Sequence, residues 1–408
     1  MKRYIPTLKN YSLLLFGLTF SAVMAQAATM VISEDGGTID YADTNAWSTF
    51  TPGDGKLPAG RIPTAGDITT INANGTVNLA SDVSSDVPDL INLANQFPGE
   101  ATAGTLNINS GGNLVLGRLT ISGNGSAGVL NIQGGSVSAN GTNAPITFGS
   151  DAGILNITSG SFNDLFTGSR TVFTGTGGNC LGVINLSGGS LNSTGSVDNE
   201  ILRLRAAQIN ISGGTLNMTG GQVVPGNSGA PGNPVTTFTV TGNDATILTD
   251  RLNVSVSPTT FVFNFDADGI SPFVSSAFMN LGTATVVVDG TNYTGGSGSF
   301  PIFTATNIAT LPAGDISLVG WDGYDVSIES EIVGEATVSI NVVVVGEGQD
   351  PTWAGFLIGT DGWVDTGSLL GWINVSTDDF VYANSLGKYL YLPESQVGDS
   401  GAWTYVYD

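Results

Sequence analysis

The chain has no histidine among its 408 residues and a single cysteine. Without histidine there is no Ser–His or Cys–His nucleophilic machinery, and the commonest transition-metal ligand is missing. Cys180 stands alone, so it forms no internal disulfide. It reads as a small buried apolar residue rather than a nucleophile. Charge is scarce too: charged residues make up 11% of the chain, 11 basic and 34 acidic, against about 25% in ordinary domains. So few Lys and Arg exclude a phosphate-binding surface, and with it nucleic acid and anionic membranes as partners. The net charge of −23 reads as a device for solubility, or else as a sign of divalent-cation binding or of a saline exterior. No glycine-rich segment leads into Gly-Lys-Ser/Thr, so none is a phosphate loop.

Apolar runs long enough to span a bilayer, about 18 residues, are absent after the first 27 positions. Those 27 look like a secretory signal peptide. Lys2, Arg3 and Lys9 form a basic start, Ser12 to Met24 is apolar, and Ala25-Gln26-Ala27 fits a small-x-small cleavage site. The alternative is an uncleaved anchor, for which the apolar core is short. Cleavage removes three basic residues and no acid, leaving 8 − 34 = −26. The chain is therefore expected to be exported, to the cell surface or beyond it.

What is abundant is glycine, 58 residues, together with a recurring phrase. It reads Gly104-Thr105-Leu106-Asn107-Ile108 and Gly128-Val129-Leu130-Asn131-Ile132. It returns as Gly153-Ile154-Leu155-Asn156-Ile157, Gly182-Val183-Ile184-Asn185-Leu186 and Ala207-Gln208-Ile209-Asn210-Ile211. Spacings of 24, 25, 29 and 25 residues separate the copies. A weaker copy, Gly75-Thr76-Val77-Asn78-Leu79, predicts where the first rung begins. Each phrase leads into a small-residue turn, such as Gly111-Gly112 or Gly134-Gly135, and then two more short strands. Alternation puts Leu and Ile inside and Thr and Asn outside. A unit this short buries nothing alone and must stack on its neighbours. The reading is all-β: a parallel β-helix, or β-solenoid, with three strands per coil. Residues 28–74 form its N-terminal cap and residues 75–234 its repeats. Residues 235–347 form either divergent coils or a β-sandwich cap.

Stacking brings Asn107, Asn131, Asn156, Asn185 and Asn210 into one column. Such amides bond along the stack; the column stabilises the array, or offers a repetitive face to a polysaccharide or ice. Arg118, Arg170, Arg203 and Arg205 lie near the third strands. They pair with nearby acids such as Asp151, Asp164, Asp198 and Glu200, or form a column for an anionic glycan or carboxylate. Asp266-Ala267-Asp268-Gly269 resembles the start of a calcium loop, but the further ligands of an EF-hand do not follow. Calcium at Asp266 and Asp268 is thus the one metal to consider. No other cofactor is implied, and no paired carboxylates stand out as a glycosidase site.

The last 58 residues change character. They hold 11 of the chain's 34 aromatic residues and four of its six tryptophans. Glycine–aromatic runs, among them Gly362-Trp363, Gly371-Trp372, Gly387-Lys388-Tyr389 and Gly401-Ala402-Trp403, read as short antiparallel hairpins. Residues 348–408 then form an aromatic-rich module for attachment or sorting. Its rings serve as core, with Trp363, Trp372, Tyr389 and Trp403 as candidates for stacking on sugars.

The phrase Gly-x-Leu-Asn-Ile…Gly-Gly-x-Leu resembles the repeats of exported autotransporter-like β-helix proteins of outer-membraned bacteria. Many of these carry PEP-CTERM-type sorting tails. The likeness spans residues 75–220, and the run Phe261-Val262-Phe263-Asn264-Phe265-Asp266-Ala267-Asp268-Gly269 is similar to a segment that often follows. The tail itself departs from the pattern, because Pro393-Glu394 is followed by Ser395. The resemblance implies a surface or extracellular protein without catalysis, adhesive or structural, in contact with polysaccharide or cell-envelope components. The alternatives are a carbohydrate-active β-helix enzyme, a lyase or hydrolase, and a stalk for a C-terminal binding module.

Overall fold

A computed structural model describes residues 29–32, 36–51, 54–71, 74–95, 102–123, 126–140, 146–148, 153–165, 170–175, 182–194, 201–204, 208–225, 235–254, 258–282, 284–310, 316–331, 336–345, 352–354, 356–359, 361–368, 370–377, 380–393, 397 and 404–406. The architecture is all-β. A parallel β-solenoid is flanked by small antiparallel sheets, one of them aromatic and C-terminal.

The phrase is the solenoid's first face. Thr105–Asn109 pairs in parallel with Thr76–Leu79 on one side and with the strand Val129–Ala139 on the other. The pairing continues through Ile154–Asp164, Val183–Ser193 and Gln208–Pro225 with the asparagines in exact register. Inward positions alternate with outward ones, as a two-residue period requires. Leu106, Leu130, Leu155, Ile184 and Ile209 stack in one buried column, and Ile108, Ile132, Ile157, Leu186 and Ile211 in another. Each such side chain, fully buried, contributes roughly 1.5–3 kcal/mol.

Corners are turned inside continuous strands. Val129–Ala139 carries two inward pairs, Leu130/Ile132 and Val137/Ala139, with Gly134-Gly135 between them. Gln208–Pro225 rounds two corners, at Gly213-Gly214 and Gly220-Gly221. The second face stacks Leu114, Val137, Phe162, Leu191 and Leu216. The third runs through Leu90–Asn92, Arg118–Thr120, Ile146–Phe148, Arg170–Gly175 and Ile201–Leu204.

Beyond residue 234 the phrase is gone, yet parallel pairing goes on. Gln208–Pro225 pairs with Thr236–Thr241, that strand with Thr259–Asn264, and that with Ala284–Asp289 and then Ser317–Val319. The core changes instead. Phe238 and Phe261 take the Leu106 column and stack at 5.3 Å and 9°, while Phe273 and Phe303 meet Phe261 edge-on at 5.2 Å. Larger rings alter the sequence while the backbone register is kept.

Antiparallel strands flank both ends and cover part of the last parallel rung at each. At the N-terminal end Thr29–Ile32 pairs with Trp47–Thr51, and that strand with Gly55–Pro58. At the other end Gly298–Thr310 pairs with Ala336–Val344, which pairs with Tyr324–Glu331. The apolar run Val342–Val345 is thus paired through Val344, although Val343 and Val345 are exposed. One expectation needs correcting: the first rung does not begin at Gly75. Thr38–Asp40 already pairs in parallel with Thr76–Leu79, placing Asp40 beside Asn78. The phrase was a poor marker there because the rung uses Asp where later rungs use Asn.

The C-terminal residues form a separate antiparallel sheet of five strands, Trp363–Asp365, Trp372–Thr377, Phe380–Ala383, Lys388–Tyr391 and Tyr405–Val406. It has its own core of Trp353, Val364, Ile373, Val381, Ala383, Leu390 and Leu392.

Candidate functional site

The C-terminal sheet presents its functional candidates through simple alternation. In Phe380–Ala383 and Lys388–Tyr391, Val381, Ala383 and Leu390 face the core. Phe380, Tyr382, Tyr389 and Tyr391 therefore face outward. Register then builds a row across four strands: Trp363 opposite Asn374, Asn374 opposite Tyr382, Tyr382 opposite Tyr389. Phe380 lies opposite Tyr391 in the next row, and Trp372 lies opposite Asp365. Ring centroids are 6.2 Å apart for Trp363–Tyr382, 5.2 Å for Tyr382–Tyr389 and 5.2 Å for Phe380–Tyr391.

Exposure on this face is high for aromatics: 54% for Trp372, 52% for Tyr389 and 39% for Phe380. Six of the eight phenylalanines between residues 238 and 303 are at most 1% exposed. Among the sequence candidates, Trp363, Trp372 and Tyr389 are thus brought onto one face. Trp403 lies outside the described residues. Phe380, Tyr382 and Tyr391 were missed by sequence reasoning, although period-two alternation around Val381 and Leu390 marks them.

The asparagine column is a bonded ladder. Nδ2 of Asn107 donates to Oδ1 of Asn78 at 2.8 Å, Asn131 to Asn107 at 2.8 Å, and Asn156 to Asn131 at 2.7 Å. Asn185 donates to Asn156 and Asn210 to Asn185, each at 2.8 Å. On this one face the outward positions of the six rungs carry no charged side chain from Thr76 to Ser212. A shorter ladder on the second face, unnoticed in the sequence, joins Asn192 to Asn163 at 2.9 Å. Beside it Asp164 is 2% exposed and accepts a 2.7 Å hydrogen bond from Ser193.

Arg118, Arg170 and Arg203 lie on three strands of the third face, Arg170 and Arg203 on neighbouring ones. Arg118 is exposed at the start of its strand, opposite Leu90. Arg203 lies three rungs further on, opposite Thr171 and Val224. Arg205 lies outside the described residues, as does Cys180. Another arginine, not singled out in the sequence, has a well-defined partner: Arg61 clamps Asp67 through both terminal nitrogens, one contact at 2.9 Å.

Asp266 organises its own turn. Its Oδ1 accepts from the backbone N–H groups of Asp268 and Gly269, each at 3.0 Å. Asp268 is exposed, and its carbonyl accepts from Asn243. Among the described residues no three His, Cys, Asp or Glu side chains gather to hold a metal ion. Among the described residues there is no helix long and apolar enough to cross a membrane. Comparison with family models, with curated proteins and with solved structures finds no match to this chain. What the chain can do is therefore read from its own surfaces.

Proposed function

We propose that this is an exported, non-catalytic β-solenoid that serves as a cell-surface or extracellular scaffold of the autotransporter-like, adhesive kind. The observation that carries the reading is the amide ladder from Asn78 to Asn210. A rod sealed by neutral side-chain bonds and by stacked Leu and Ile needs no disulfide or metal to stay rigid. The apolar stretch Ser12 to Met24 behind Lys2, Arg3 and Lys9 supplies the route out of the cytoplasm. The aromatic sheet at the far end of the chain is the attachment element.

The test is fractionation of an outer-membraned bacterium producing the full chain, with sequencing of the mature N-terminus. The expected product begins at Ala28 and is found outside the inner membrane. A product that keeps Met1 and stays in the cytoplasm would sink the proposal. A chain deleted for residues 351–408 is expected to be exported and then lost to the medium.

A further inference from the structure

We propose that the outer face of the C-terminal sheet binds a neutral polysaccharide, through Trp372, Tyr389 and the row Trp363–Asn374–Tyr382. The proposal deepens the scaffold reading by naming what the attachment element grips. It is tested on purified protein, so it stands or falls separately from export.

Exposed large aromatics ask for an explanation, because folding alone drives them inward. Here the sheet already has a complete core on its other face, built from Val364, Ile373, Val381, Ala383 and Leu390. Core packing therefore does not account for Trp372 at 54% or Tyr389 at 52% exposure. Tyr and Trp are the residues that give a large, rigid, amphipathic contact at low entropic cost.

Two observations select the occupant. The first is size. Four strands about 4.8 Å apart and two residue pairs along each strand give a face of roughly 14 by 14 Å. That is about 200 Å², far short of the roughly 800 Å² per partner in a stable protein interface. A second copy of the chain is thus a poor fit, and a slender chain of a few sugar rings a good one. The second is charge. Residues 351–408 hold one basic and seven acidic residues, 1 − 7 = −6. Acidic polymers and anionic lipid surfaces are repelled. A neutral pyranose offers an apolar C–H face to the rings and hydroxyls at its rim. Asp365 opposite Trp372, and the phenols of Tyr382, Tyr389 and Tyr391, supply hydrogen-bond partners there.

The experiment is native affinity electrophoresis of the purified full chain through gels containing a neutral β-glucan, a galactomannan or alginate. Flotation with phosphatidylcholine vesicles runs alongside. At least one neutral polymer is expected to retard the protein, while alginate and the vesicles leave it unbound. Trp372→Ala and Tyr389→Ala should each weaken the retarding interaction about ten-fold or more. Trp372→Phe keeps a ring and should recover most of it, and Ser187→Ala, on the solenoid, should leave it unchanged. Thermal unfolding and near-UV circular dichroism confirm that each variant is folded. Retardation by no neutral polymer, equal retardation of folded Trp372→Ala and Tyr389→Ala, or binding to the vesicles instead would each overturn the proposal.

Discussion

Asn156 donates its Nδ2 hydrogen to Oδ1 of Asn131 at 2.7 Å and accepts one from Asn185 at 2.8 Å. Every interior member of the run is donor and acceptor at once. Asn156→Ala therefore orphans two partners, the Oδ1 of Asn131 and the Nδ2 of Asn185. The side chains are half-buried, so water recovers part of the loss. The expected cost is about 1–2 kcal/mol of unfolding free energy, read from urea titration. Asn156→Thr should cost less, because Thr239 already follows Asn210 in this column. A change in midpoint within error for Asn156→Ala would show that the ladder adds no stability.

Gly160 and Gly66 separate two reasons for glycine at a corner. Both have positive φ, +81° and +86°. A Cβ on Gly160 would lie 2.0 Å from the carbonyl oxygen of Gly135 in the rung below, whereas one on Gly66 meets nothing within 4 Å. Gly66→Ala carries only the left-handed penalty, about 1–2 kcal/mol. Gly160→Ala adds a clash between backbones and should lose more than about 3 kcal/mol. Urea titration of the two variants side by side checks this, and equal losses would contradict the close stacking of rungs.

Most of the solenoid is legible in the sequence because its rungs repeat the same physical solution. Leu106 and Ile108 go inside, Asn107 outside, and Gly111-Gly112 turns the corner. Legibility fails where the solution changes. Asp40 stands in for asparagine in the earliest rung, so that rung is hidden. Phe238, Phe261, Phe273 and Phe303 replace aliphatic residues beyond residue 234, and the phrase disappears while the pairing persists. In the C-terminal sheet, Trp372 and Tyr389 stand out by composition alone. Which rings share a face depends on cross-strand register, such as Tyr382 opposite Tyr389, and on turns whose lengths fix it. The Arg61–Asp67 clamp spans only six residues but lies in a cap with no periodicity to announce it.

That clamp gives the N-terminal cap an acid limit. Burial pushes the Asp67 carboxyl up, but the Arg61 hydrogen bonds, the Thr64 backbone N–H and the Arg61 charge outweigh it, and the group ends below its ordinary value. A carboxyl lowered on folding contributes stability that is present above the unfolded value of about 3.9. That stability is lost as pH falls through the folded value. The wild-type midpoint should therefore drop more steeply below about pH 4 than that of Asp67→Asn. At neutral pH Asp67→Asn should cost about 1–3 kcal/mol, since it breaks a charge-assisted bond to a nearly buried oxygen. Parallel acid profiles of the two proteins would mean that another carboxyl sets the limit.

Tyr41 offers the opposite sign. Its ring is fully buried against Trp47, at 5.2 Å and edge-on, and its carbonyl accepts from the Trp47 indole at 2.9 Å. The hydroxyl, however, is buried with no hydrogen-bond partner among the described residues. Burial, then the charges of Asp86 and Asp67, push the phenol far above its ordinary value. An acid whose value rises on folding contributes stability below the unfolded value of about 10. It gives that stability up as pH climbs towards the folded value. Tyr41→Phe removes an unsatisfied hydroxyl and keeps the ring, so it should stabilise the chain by about 1 kcal/mol at neutral pH. It should also flatten the loss of stability above pH 10. Thermal midpoints at neutral and alkaline pH read both effects together. A neutral-pH midpoint lower than wild type would show that the hydroxyl has a partner, such as a bound water, which the ring alone does not replace.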